Sequence, residues 1–216
     1  EDTAMALSLK KGEGISLHKE ENDLSQITMG LGWDMADPVQ KKGFFTALFA
    51  AKPAEYDLDA VAFLLDASGK VASLGPQNDL MGGDVIFFNN LKHPSGHIWL
   101  TGDNRTGEGD GDDEQIIVKL NSLNEKYQRI VFVVSIYEGR KRAQHFGQLK
   151  NAFIRAVDGK GKELCRYQIS AEPNYDNMCS MTFAEAVREA GGWRFKAIGE
   201  PHSSDTFVDI LQNYLP

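Results

Sequence analysis

A mainly β chain, folded as a sandwich of two sheets with a few short helices, is what this sequence predicts, and three observations predict it. Short runs of β-branched and aromatic residues recur along most of the chain, turn-forming clusters separate them, and helical periodicity is confined to the C-terminal part.

The expected strands are Ala60 to Leu65, Val85 to Phe88, His97 to Leu100, Gln115 to Leu120, Ile130 to Tyr137, Ala152 to Val157 and Leu164 to Ile169. Ile130 to Ile136 is apolar almost throughout, the pattern of a central strand covered on both faces. The punctuation between runs is Asp66-Ala67-Ser68-Gly69 and Asp158-Gly159-Lys160-Gly161, whose residues favour tight turns. These two segments belong to an internal echo. Asp59-Ala60, Asp66, Gly69 and Lys70 recur 92 residues later as Asn151-Ala152, Asp158, Gly161 and Lys162, as two related β units in one sandwich would require.

Later in the chain Thr182 is placed to cap a helix over Phe183 to Glu189, ended by Gly191 and Gly192. Trp193 to Ile198 alternates like a half-exposed strand, and a second helix is expected over Asp205 to Tyr214. Ala72 to Gly83, rich in Gly, Pro and Asn, reads as an insertion between strands rather than a linker. The expected organisation is therefore one domain over 5–216, with Glu1 to Ala4 a remnant ahead of a natural start at Met5.

Composition limits function. A chain of 216 residues buries roughly 70% of its unfolded surface, so no metal is needed to replace a missing core. The formal charge of −8 argues against nucleic acid, whose phosphates demand clustered Lys and Arg. No run approaches the roughly 18 to 20 apolar residues of a membrane span, and Glu1 to Leu9 lacks a secretory signal pattern. The expectation is a cytoplasmic protein that does not cross a membrane. Cys165 and Cys179 have no metal-site spacing and read as buried free thiols.

Between Asp103 and Glu114 six carboxylates face one Arg105, leaving a local balance of −5. Crowded carboxylates repel, and folding them together is costly unless a cation compensates. Glycines at 107, 109 and 111 let the backbone wrap tightly and turn carbonyls inward. Oxygen donors without His or Cys favour calcium over zinc or copper. The spacing is not that of an EF-hand, because Arg105, Gly107 and Glu108 stand where two ligands and the loop glycine belong. No Gly-Lys-Ser/Thr follows, so it is not a phosphate loop. The plainer alternative is a solvated acidic turn.

Asp57-Leu58-Asp59 puts two more carboxylates on one face of a strand start, either as chelators or as an exposed edge. Asn89-Asn90 ends another strand and offers amide oxygens. His93 and His97 are separated by Pro94-Ser95-Gly96 and read as a turn rather than a metal pair. Arg140-Lys141-Arg142 reads as a solvated basic face, and Trp33, Trp99 and Trp193 as core or half-buried sheet residues. No Ser, His and Asp set suggests nucleophilic catalysis.

Gly30-Leu31-Gly32-Trp33-Asp34, Asp57 to Ala60, Phe87-Phe88-Asn89-Asn90, the block Gly102 to Glu114, Phe146-Gly147 and Asn151 to Arg155 stand in the order seen in the TerD family, which the chain resembles from about Leu7 to Ile198. The segment around Leu74 to Asp84 and the ending His202 to Pro216 resemble the TerZ branch. Glu138-Gly139-Arg140 departs from the family pattern, so no role is carried to position 138.

The resemblance implies a calcium-binding β-sandwich holding two ions close together, without established catalysis, linked to tellurite resistance and stress. The implied binding set is Asp57, Asp59, Asn89, Asp103, Asn104, Thr106, Gly107, Glu108, Gly109, Asp110, Asp112, Asp113 and Glu114. Other tellurium-resistance proteins, at the inner membrane surface, are the implied partners. The competing expectation is a divalent-metal-dependent phosphoesterase, since clustered carboxylates also hold paired catalytic ions.

Overall fold

A computed structural model describes residues 6–35, 56–101, 112–169 and 175–216. Twelve strands are formed there: β1 (Leu7–Leu9), β2 (Gly14–His18), β3 (Ile27–Met35), β4 (Leu58–Leu65), β5 (Val85–Ile86), β6 (Ile98–Thr101), β7 (Glu114–Val118), β8 (Arg129–Ile136), β9 (Leu149–Val157), β10 (Glu163–Gln168), β11 (Ser180–Glu189) and β12 (Gly192–His202). Two short helices, α1 (Gly139–Arg142) and α2 (Phe207–Leu211), complete the regular structure with brief 3-10 turns. The strands make two six-stranded sheets, ordered β1-β10-β9-β3-β7-β6 and β2-β12-β11-β8-β4-β5, which is the sandwich the sequence predicts.

The pairing is antiparallel except for β1 on β10, so hydrophobic alternation decides what enters the core. Met29, Leu31, Ile116, Val118, Ile154 and Ala156 of the first sheet meet Ala62, Leu64, Ile130, Phe132, Phe183 and Phe195 of the second. The second sheet carries another apolar layer on its outer face. Val61, Phe63, Leu65, Val131 and Val133 pack there under Phe207, Ile210 and Leu211 of α2 and under Val71, Val85 and Phe87. That covering explains the unbroken apolar run of β8.

The helix expected over Phe183 to Glu189 is a strand. Its Ala, Glu and Arg favour a helix locally, but β11 lies between β8 and β12, and ladder pairing on both edges outweighs that propensity. A bulge between Thr182 and Ala184 turns both Phe183 and Ala184 into the core, which breaks the period of two and imitates helical spacing. Gly191, at φ +80°, serves the hairpin turn into β12. The C-terminal helix does form, as α2 followed by a 3-10 turn over Gln212–Tyr214, capped by the Thr206 side chain on the Val208 amide. The internal echo reappears as one turn made twice. Asp66 and Asp158 each accept backbone bonds from residues two and four further on, and Gly69 and Gly161 both take positive φ.

Both cysteines are free and buried. Burial pushes the Cys165 thiol up to about 12 and raises that of Cys179. Thiolate is the reactive form, so the native protein should give almost no reaction with a disulfide reagent at pH 8, against two thiols after unfolding. Rapid native labelling of Cys165 would contradict the packing.

Candidate functional site

A cleft of about 800 Å³ opens where β4, β6 and β7 meet the segments 88–91 and 137–142. It is lined by Asp57, Asp59, Glu114, Thr101, Arg142, Phe88, Leu91, Leu100 and Tyr137. Asp59 of β4 and Asp57, just ahead of that strand, reach it together because alternate residues of an extended chain share one side. Asp59 sits opposite Ser135 in the β4–β8 ladder, and the buried Ser135 Oγ has no hydrogen-bond partner among the described residues. Thr101 ends β6 and Glu114 begins β7, so the described residues on either side of 102–111 both reach this cleft.

Of the predicted binding residues, the structure brings Asp57, Asp59 and Glu114 to the cleft. Asn89 is exposed in the turn beyond Phe87 and is not among its lining residues; the neighbouring Asn90 is the structural amide, donating to the Gly83 and Val85 carbonyls. Asp103, Asn104, Thr106, Gly107, Glu108, Gly109 and Asp110 lie outside the described residues.

The three consecutive carboxylates that close the acidic segment part company. Asp112 accepts two bonds from the Arg155 guanidinium of β9, at 2.7 and 3.1 Å, and a third from the Gln115 amide. Asp113 accepts from the Trp33 amide at 3.0 Å, where the β3–β9 register slips and the ladder leaves that donor over. Glu114 crosses to the other sheet and accepts from the Ala60 amide at 2.6 Å, on the part of β4 beyond its β5 partner.

These donors are all oxygens, the chemistry calcium takes. Among the described residues no three acidic, His or Cys side chains form a metal-holding group. The cleft also holds residues that sequence reasoning missed. Phe88, Leu91 and Tyr137 are exposed along its rim, and Arg142 stacks on Tyr137 and faces Glu138 at 3.5 Å. Thr101, directly before Gly102-Asp103, was the one with a sequence signal.

Away from the cleft, Asp84, His93 and Ser95 come together in one hydrogen-bonded chain. Asp84 Oδ1 accepts from the Tyr127 hydroxyl at 2.6 Å and pairs with His93 Nε2 at 2.9 Å, while Asp84 Oδ2 accepts from the Ser73 amide. His93 Nδ1 accepts the Ser95 amide and lies 2.7 Å from Ser95 Oγ. The Gly96 amide donates to the His93 carbonyl, the turn foreseen at 93–97. Asp84 and His93 are buried, Ser95 is on the surface, and none lines the cleft. Burial and Asp84 raise the Tyr127 hydroxyl above its ordinary value, so it remains a donor to the carboxylate.

The TerD domain model matches residues 5–214. The tellurium resistance protein TerX of Serratia marcescens is 56% identical over 98% of this chain and 100% of its own. TerD of an Alcaligenes species shares 39% over 90% of each chain, and TerZ of Serratia marcescens 37% over 94% of each. A solved Streptomyces coelicolor homologue of telluride resistance protein (TerD) superposes with a TM-score of 0.59 at 22% identity, covering 89% of this chain and 99% of that one, a likeness of fold. The chain belongs to the TerD domain family of tellurium-resistance and stress proteins.

Proposed function

We propose that this protein is a calcium-binding, non-catalytic stress protein of tellurite resistance, in which the bound ion fixes the acidic segment and presents a surface to partner proteins. The observation that carries the reading is the convergence of Asp57, Asp59 and Glu114 on one cleft, at the two ends of a segment with a balance of −5. Calcium there supplies the charge compensation that crowded carboxylates demand. Asp57, Asp59 and Glu114 are the described side chains that would hold it, one or two ions being completed by oxygens of 103–110. The exposed Phe88, Leu91 and Tyr137 supply the apolar part of the contact surface. Partners of the same resistance system, at the cytoplasmic face of the inner membrane, fit this reading. No helix among the described residues is long and apolar enough to cross a membrane.

Titration calorimetry tests the proposal. Calcium should bind well above magnesium, which demands a small octahedron and keeps its waters. Asp59→Asn should weaken calcium by at least about tenfold, the loss expected even when only a ligand's outer partner is removed. Calcium binding unchanged by Asp59→Asn would confine the site to the loop.

A second reading, a divalent-metal phosphoesterase, draws support from Arg142 beside the carboxylates, where a phosphate would need a cation. Arg142 is already engaged by Glu138 and Tyr137. Hydrolysis in a phosphatase and nuclease screen with Mg²⁺ or Mn²⁺, combined with equal calcium and magnesium affinity, would favour this reading over the first.

A further inference from the structure

We propose that Arg155 is a positioning residue for the cation-binding segment and acts through Asp112, so that Asp112 anchors the segment instead of ligating the ion. The inference rests on the calcium reading above and changes what its last carboxylates do. The Asp112 side chain is 1% exposed and held by both arms of the Arg155 fork. Gly30 of β3 forms the floor of this socket, where any Cβ would collide with the Asp112 carboxylate. Arg155 is fixed from its far side as well, donating through Nη1 to Glu163 at 2.9 Å, and Glu163 is in turn held by Arg166. A bidentate pair of this kind fixes geometry as well as charge.

The consequence follows from the chain's path. Asp112 is the first described residue beyond 102–111, and Asp112, Asp113 and Glu114 fasten the exit of the acidic segment to β9, β3 and β4 in turn. Arg155 also removes one carboxylate from the mutual repulsion of the six. A segment tied at its exit has less freedom to lose when it wraps an ion, which is how preorganisation raises affinity. Without Arg155 the buried Asp112 charge has no guanidinium to pair with and turns to water, which undoes the first of the three ties.

A double-mutant cycle on calcium affinity tests this, because a residue acting only through another loses its effect once that other is gone. In calorimetric titrations with calcium, Arg155→Gln and Asp112→Asn should each weaken binding about tenfold, and the double variant should be no weaker than either single one. Additive losses would show that Arg155 does not act through Asp112 and overturn the proposal. So would tighter binding by Arg155→Gln, which would mark the arginine as a competitor for the ion. Arg155→Lys, which keeps the charge but not the fork, substitutes if Arg155→Gln does not fold, and should also weaken calcium. In chelator, exchange of the Asp113 amide, which donates to the Leu31 carbonyl, should quicken in Arg155→Gln; unchanged exchange overturns the tie itself. The wild-type titration reads the calcium proposal, and the cycle and the exchange read the role of Arg155.

Discussion

Chelating calcium should lower the midpoint of thermal unfolding by roughly 5–11 °C compared with protein in calcium at 100 times its dissociation constant. A ligand that binds only the native state at that excess contributes about 2.7 kcal/mol, and for a chain of this size each kcal/mol moves the midpoint about 2–4 °C. The acidic segment explains why the effect should be large. Six carboxylates within 103–114 are balanced by Arg105 alone within the segment, and Asp112 gains a guanidinium from Arg155 of β9. A net negative charge this dense opposes folding whenever no cation is bound. Added monovalent salt should therefore reduce the gap, since screening relieves the same repulsion from outside. Differential scanning calorimetry with calcium and with chelator measures it. Equal midpoints under both conditions would remove the main support for a metal.

Much of the fold was legible because most strands have one face in the core and one outside it. Trp193 to Ile198 alternates and is a strand; Ile130 to Ile136 does not alternate, and α2 covers the outer face its second apolar set requires. The missed strand β3 shows the limit. Gly30 and Gly32 dilute its strand character, yet Gly30 is there because the Asp112 carboxylate fills the space a side chain would take, a long-range cause that local pattern does not carry. The misread β11 failed for the opposite reason, a bulge that replaced period two with something helix-like. At the site, the Asp57-Leu58-Asp59 spacing placed two carboxylates on one face correctly. Composition alone could not separate Asp112 from Glu114: both are acidic and adjacent but one, yet the first meets a guanidinium on the outer face of its sheet and the second a backbone amide of the opposite sheet. Arg155 lies 43 residues from Asp112, and only the β3–β9 and β3–β7 pairings bring them together.

Asp84→Ala should cost about 3–5 kcal/mol of unfolding free energy, the range for removing one partner of a buried charged network. Asp84 is 2% exposed and takes hydrogen bonds from three directions: the Tyr127 hydroxyl and His93 on one oxygen, the Ser73 amide on the other. Because His93 Nδ1 accepts the Ser95 amide, its Nε2 carries the proton and donates to Asp84. Alanine removes the shared acceptor, leaving the Ser73 amide and the buried Tyr127–His93 pair, 3.3 Å apart, without the carboxylate. It also loosens a strap. Ser73 and Asp84 bracket the insertion, the Asp84 amide donates to the Ser73 carbonyl, the Asp84 carbonyl accepts from the Leu64 amide of β4, and Val71, Val85 and Phe87 of the same stretch complete the outer apolar layer. Asp84→Asn keeps one carbonyl oxygen for Tyr127 and His93 but turns an NH₂ toward the Ser73 amide, so about 1–3 kcal/mol is expected. Urea unfolding of both variants, with amide exchange at Leu64 and Ser73, measures the cost and locates it. A loss under about 0.5 kcal/mol in Asp84→Ala, the size of an ordinary surface change, would show that the insertion is held by its apolar contacts alone.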